Sequence, residues 1–214
     1  MKDIPLFDTE TGVSTLVLKE IPYKQIAYVT VRDVQPGGLQ AHLEECVSFC
    51  RMCGAERIYV TGHPELSRFP LYCRVIPMAL TMTAPEEPEA CLFPVTEATV
   101  KRWREICNER LRAVDNAATM TAHDEKQIIS SKGAYFVHDR GELLGIGWIK
   151  GSEILVIASV KPGSGQRVLR ALLTVADSDR VTLEVASTNL RAIRLYETLG
   201  FLPCAQERSW YQIY

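Results

Sequence analysis

The segment that most constrains the fold is Ile154–Val160, "ILVIASV", together with the glycine-rich turn behind it. Seven residues with hardly a polar break read as a strand buried on both faces. The next residues, "KPGSGQRVLRALL", turn on two glycines and run into an amphipathic helix. "RVTLEVA" is then a second strand and "NLRAIRLYETLG" a second helix. Strand, glycine turn, helix, strand, helix within about fifty residues is an arrangement that must build a sheet covered by helices. Gly163 and Gly165 let the backbone turn tightly and approach a ligand closely. The helix behind them opens with unpaired N–H groups and the positive end of its dipole, a site suited to a phosphate or pyrophosphate. Gln166 and Arg167 are candidate extra donors, with Arg170 one turn on.

Upstream, "VTEATVKRWREICNERLRAV" has Val100, Trp103, Cys107, Leu111 and Val114 on one helical stripe. "AHDEKQIIS" reads as a shorter helix and "GAYFVHDRGELLGIGWIKG" as a hairpin with its tip at "DRGE". In the first part of the chain, "STLVLKEI" and "QIAYVTVRDV" read as strands. A helix over about 38–53, the strand "RIYVTG", "HPELSRF" as a short helix or loop and the extended "LYCRVIPMAL" come next. The Pro- and Glu-rich "TAPEEPEA" is the best boundary, giving units 1–84 and 85–214. A faint echo links the halves: "VQPGG", helix, "ERIYV" against "VKPGSG", helix, "DRVTLEV". Pro36 and Val60 are 24 positions apart, and Pro162 and Val185 are 23 apart.

"ECVSFCRMCG" spaces Cys46, Cys50 and Cys53 as C-x3-C-x2-C, which is similar to the cluster-binding triplet of radical-SAM enzymes. The same residues continue the stripe of Leu39 and Leu43 at steps of 4, 3, 4 and 3. The expectation is therefore three core thiols on one helix face, since free cysteine packs as a small hydrophobe. No zinc site is expected there.

A net charge of -2 gives no footprint for nucleic acid. No apolar run approaches a membrane span, and the first ten residues lack a secretory pattern. Seven cysteines without an evident disulfide framework are expected as reduced thiols in the cytoplasm.

The residues Asn189, Ala192, Tyr196, Glu197, Gly200 and Phe201 form "N-x2-A-x3-Y-E-x2-G-F". Read bare, Asn189 is a helix cap and Tyr196 a core aromatic. As a set they resemble the C-terminal motif of the GNAT superfamily of acyl-CoA-dependent N-acyltransferases. The order of elements over about 90–214 is similar too. The resemblance implies an α/β (α+β) fold with a mixed twisted sheet whose central strands splay, preceded by a smaller, degenerate β-α-β unit of the same kind. It implies transfer of acetyl from acetyl-CoA to a primary amine on a small molecule or peptide. A non-catalytic acyl-CoA sensor or interaction module of the same fold is the alternative. It also implies roles. Backbone groups at Ala158 and Val160 would pair with the pantetheine arm. Gly163, Ser164, Gly165 and Gln166 would offer N–H groups to the pyrophosphate, with Arg167 beside them, and Asn189 would bond the pantetheine. Tyr196 would protonate the departing thiolate. Where the family carries Arg or Gln three residues before the first glycine, this chain has Val160. His63 is a candidate base that reads first as a structural loop histidine, and Glu153 is a candidate base that reads equally as a solvent-exposed hairpin residue.

Overall fold

The computed structural model describes residues 2–83 and 90–214. The chain folds into two compact units, 1–74 with 208–214, and 75–207. The boundary expected at 84/85 lies outside the described residues. The division observed here falls at Arg74/Val75, and the last strand joins the first unit. That pairing has no local signature in the sequence.

The first unit holds β1 (Ile4–Thr9), β2 (Gly12–Val17), the single turn α1 (Ile21–Lys24), β3 (Ile26–Val34), α2 (Leu39–Met52) and β4 (Arg57–Thr61). A short 3-10 turn at Pro64–Arg68 comes next, then the start of β5 (Leu71–Thr81); the unit is completed by β12 (Arg208–Gln212). Its strands run β1-β2-β3-β4-β12, all antiparallel neighbours except β3 and β4. α2 joins those two parallel strands and lays Leu39, Leu43, Cys46 and Cys50 against Leu16, Val29 and Ile58. Cys46 and Cys50 are fully buried, and burial pushes their thiols up to about 11 and about 12. They are core residues, as the helical spacing predicts; Cys53, expected as the third, is the C-cap of α2 and half-buried.

The second unit contains β5 from Val75, β6 (Cys91–Pro94), α3 (Val100–Leu111), α4 (Glu125–Ser131), β7 (Ala134–Asp139) and β8 (Glu142–Lys150). β9 (Glu153–Ser159), α5 (Gly165–Leu173), β10 (Arg180–Ala186), α6 (Leu190–Thr198) and the two-residue β11 (Leu202–Pro203) complete it. Its sheet runs β5-β10-β9-β8-β7-β6, with β11 on β5, and it is antiparallel except between β10 and β9. α5 packs with Val168, Leu169, Ala171 and Leu172 wholly buried. It sits so close to β8 that a Cβ on Gly147 would lie 2.3 Å from Leu172 Cδ1. α3 packs with Trp103 buried, its indole N–H donating to Tyr135 O at 3.0 Å and its ring edge-on to Trp148.

The faint sequence echo corresponds to two parallel β-α-β units that differ in one respect. β3 and β4 stay paired through five residues, Ile26↔Arg57 to Thr30↔Thr61. β9 and β10 pair at Thr182↔Glu153 and Leu183↔Ile154 and then part. The first unit is closed where the second is open. Among the described residues, no helix is long and apolar enough to cross a membrane.

Candidate active site

The gap begins where β10 and β9 separate. β10 remains fully paired with β5 up to Ala186↔Val75, and β9 remains paired with β8 up to Ser159↔Gly145. The parting therefore leaves one open edge on each of two otherwise satisfied strands, an unpaired stretch that invites a guest.

Parity decides which β9 residues face that gap. Val160 N–H donates to Leu144 O at 2.8 Å, and bonded and non-bonded pairs alternate along an antiparallel ladder. With Ala158 opposite Ile146, the Ala158 N–H and C=O point at β8. Those of Ile157 and Ser159 point into the gap. Val160 is spent as well, because its carbonyl accepts from Arg110 Nη2. Ala158 and Val160, expected to turn backbone groups to a pantetheine arm, therefore have theirs engaged elsewhere, and it is Ile157 and Ser159 whose backbone groups face the gap. A one-residue slip reverses every backbone direction, and sequence alone does not fix the register.

Arg110, near the end of α3, makes a second contact there: its Nε donates to Ser159 O at 2.8 Å. It lies off the apolar stripe of that helix, and nothing in the local sequence marks it.

At the turn after β9, Gly163 adopts φ +83°, a left-handed conformation natural to glycine. Gly165 and Gln166 are the first helical residues of α5 and have N–H groups without an acceptor in the helix. Both, with Gly163, line a cavity of about 650 Å³. Ser164 does not join them. Its hydroxyl lies 2.7 Å from Leu144 O and 2.8 Å from Lys161 O, with its one proton to give to either, and its N–H donates to Lys161 O (3.2 Å). It builds the turn rather than the ligand surface. Arg167 is also corrected: it ion-pairs with Asp139 at 2.6 Å and is absent from the cavity wall. Its hydrogen bond is the main cause holding the Asp139 carboxyl below its ordinary value.

Asn189 caps α6, its Oδ1 accepting Ala192 N–H at 3.2 Å. The cap uses only the carbonyl end of the amide. The residue lines the 650 Å³ cavity and also a second one, of about 260 Å³. Tyr196, two turns along α6, lines both cavities too, as do Ile157, Leu111 and Val114. Its ring packs on Phe201 and the residue is 6% exposed. Among the described residues nothing hydrogen-bonds its hydroxyl. Burial alone pushes the phenol up to about 12. The bare reading as a helix cap and a core aromatic is therefore true of both side chains, yet both also meet the gap.

The wall opposite α6 is the stretch after α3. It is pinned by Asn108, which donates to Met120 O and accepts Met120 N–H, both at 2.8 Å. Thr188 ties it to the start of α6 by donating to Asp115 Oδ2 at 2.8 Å. Of the candidate bases, His63 caps the 3-10 turn of the first unit, accepting Glu65 N–H at 3.3 Å. Glu153 pairs in the ladder at the closed end of the gap. Neither lines the two cavities.

No family model matches the chain, and no curated protein matches it in sequence. Solved structures do match in fold. A GCN5-related N-acetyltransferase from Sphaerobacter thermophilus superposes with TM-score 0.64 at 15% identity, covering 94% of this chain and 75% of that one. A GCN5-related N-acetyltransferase from Kribbella flavida gives 0.60 at 14%, covering 98% and 90%. A tandem GNAT protein from the clavulanic acid biosynthesis pathway gives 0.53 at 14%, covering 94% and 78%. At these identities the likeness is one of fold, and the fold is that of the GNAT N-acetyltransferases.

Proposed function

We propose that the chain is an N-acyltransferase that moves an acetyl group from acetyl-CoA to a primary amine. One observation carries the reading: β9 and β10 part after Leu183↔Ile154, and the phenol of Tyr196 lines the resulting gap with no protein partner among the described residues. A gap bordered by open strand edges suits a linear amide-bearing carrier such as pantetheine, which pairs like an added strand. Ile157 and Ser159 N–H and Ile157 C=O are the groups available for it. Gly163, Gly165 and Gln166 are the donors for its pyrophosphate. Arg110, Lys161 and Arg191 line the same cavity. They place positive charge along that cavity, Lys161 while paired with Glu142, where Val160 itself offers no side-chain donor.

In this reading the amine nitrogen attacks the thioester carbonyl, the new C–N bond forms and the C–S bond breaks. Tyr196 gives its proton to the leaving sulfur and regains one from water, and the nitrogen sheds its surplus proton. A phenol held protonated to about pH 12 is a competent donor across the physiological range. The position of Tyr196 between the two cavities supports that role: the carrier reaches it from one side and the acceptor from the other. All seven cysteines are free thiols, in keeping with a reducing, cytoplasmic setting.

The test is thiol release from acetyl-CoA across a panel of primary amines, for the wild type and Tyr196→Phe. Turnover with at least one amine, lowered about 10²–10⁴-fold by the substitution, is expected. Cofactor binding without turnover on any amine favours the non-catalytic sensor.

A further inference from the structure

We infer that the turn Arg110–Asp115, where α3 ends, is a strut that keeps the ends of β9 and β10 apart, with Arg110 and Thr188 as the positioning residues at its two ties. Its purpose rests on the acyl-transfer reading above; its geometry rests on hydrogen bonds alone.

Two parallel strands with open edges gain backbone hydrogen bonds by closing on each other. β3 and β4 do so over five residue pairs, whereas β9 and β10 stop after two. The ladders with β8 and β5 occupy the outer sides of β9 and β10 and leave the facing sides open. What lies between the free ends then decides whether they close.

The register identifies those ends. Thr182 and Glu153, a ladder pair, are 29 positions apart, and so are Thr188 and Ser159. A ladder that ran on unbroken would bring Thr188 opposite Ser159. These are the residues that the turn after α3 takes hold of. Arg110 Nε donates to Ser159 O at 2.8 Å, and its Nη2 donates to Val160 O. Five positions on, Asp115 Oδ2 accepts the Thr188 hydroxyl at 2.8 Å. One end of the turn is thus tied to the tip of β9. The other is tied to the residue before the Asn189 cap of α6, just past β10.

The turn between the two ties is short and braced. Val114 N–H donates to Leu111 O at 3.0 Å, and Ala117 N–H to Val114 O at 3.3 Å. Asn108 staples its base to Met120, and buried Ile106 and Cys107 anchor the helix before it. Leu111 and Val114 line both cavities, so the inner side of the strut is a wall of the gap. A gap held open in advance spares a strand-like guest the cost of parting the strands.

The experiment compares the wild type with Arg110→Lys, Thr188→Val, the double variant and Thr188→Ser. Lysine keeps the charge at 110 but cannot span two carbonyls as the guanidinium fork does. Valine removes the hydroxyl at 188, and serine keeps it. Residue-resolved amide exchange on the unliganded protein reads the gap at the Ile157 and Ser159 N–H groups. Arg110→Lys and Thr188→Val are each expected to slow exchange there at least about tenfold as the strands close, and Thr188→Ser to stay within about threefold of the wild type. Plain loss of stability speeds exchange instead, so the sign separates a strut from a merely structural contact. Calorimetric titration of the same preparations with acetyl-CoA is expected to show affinity about tenfold lower in each of those two variants. The double variant is expected within about threefold of either, because cutting one tie already frees the strut. Unchanged or faster exchange at Ile157 and Ser159 in either single variant overturns the inference, whatever acetyl-CoA does. Losses that multiply to about a hundredfold in the double variant overturn it too, since they report two independent contacts. Slower exchange with unchanged acetyl-CoA affinity upholds the strut and counts against the acyl-transfer reading. If the wild type binds no acetyl-CoA, that reading falls, and the exchange rates still decide the strut.

Discussion

A phenol that ordinarily loses its proton near 10 holds it to about 12 at Tyr196, because burial penalises the phenolate. This has two consequences for the residue. The acid form disappears only as pH rises through about 12, so the alkaline side of the rate profile carries no loss from Tyr196 below about pH 11. Stability behaves with the opposite emphasis. An acid whose folded pKa is raised contributes fully below the unfolded value, 10.0, and that contribution is lost as pH climbs from there towards 12. Thermal melts at pH 9 and pH 11 on wild type and Tyr196→Phe are expected to show a smaller alkaline fall in the variant. Asn189→Ala removes a helix cap, so a loss of about 0.5–2 kcal/mol in unfolding free energy is expected by denaturant titration. If Asn189 also holds the carrier, acetyl-CoA affinity falls as well. A plain cap would leave affinity on the remaining molecules unchanged.

At the scale of elements, the comparison of β3-α2-β4 with β9-α5-β10 separates what a sequence carries from what it does not. The glycine turns, the helix stripes and the strand runs arise from local patterns, and every one of those elements is present. The cysteine face of α2 was readable for the same reason, since a period of 3.6 belongs to single residues in order. The five paired residues in one unit and two in the other are not local properties. They depend on how each strand meets its outer neighbour and on what packs above it. The Ala158/Ser159 parity, the Arg110 clamp and the diversion of Arg167 to Asp139 were illegible for the same reason: each joins residues far apart in the chain. Two predictions belong here. Gly163→Val forces a branched side chain into φ +83° and is expected to weaken acetyl-CoA binding at least about tenfold while costing about 1–3 kcal/mol of stability. Gly147→Val drives a side chain into Leu172 and is expected to lower stability by about 1–3 kcal/mol, read from the denaturant midpoint.

For the whole molecule, the first unit holds a buried histidine that ties α2 to β1 and β2. His42 is fully buried, its Nε2 2.7 Å from Ser14 Oγ and its Nδ1 2.9 Å from Thr9 Oγ1. Burial lowers its pKa below 6.5, opposed by the nearby Glu45 and Asp8 carboxylates. The stability this group contributes is full above the unfolded value and is lost as pH falls below 6.5 towards the folded value. A drop in melting temperature on acidification from pH 7.5 to 5.5, blunted in His42→Gln, checks it. The motif at Asn189–Phe201 was legible because it is compact in sequence. The placing of the last strand in the first unit was not, because β12 finds β4 across some 150 residues of chain. The account as a whole turns on whether the gap between β9 and β10 grips an acyl-CoA. A calorimetric titration with acetyl-CoA measures this most directly. Saturable one-to-one binding, weakened at least about tenfold by Gly163→Val, is the predicted result; no heat of binding at millimolar acetyl-CoA would contradict it.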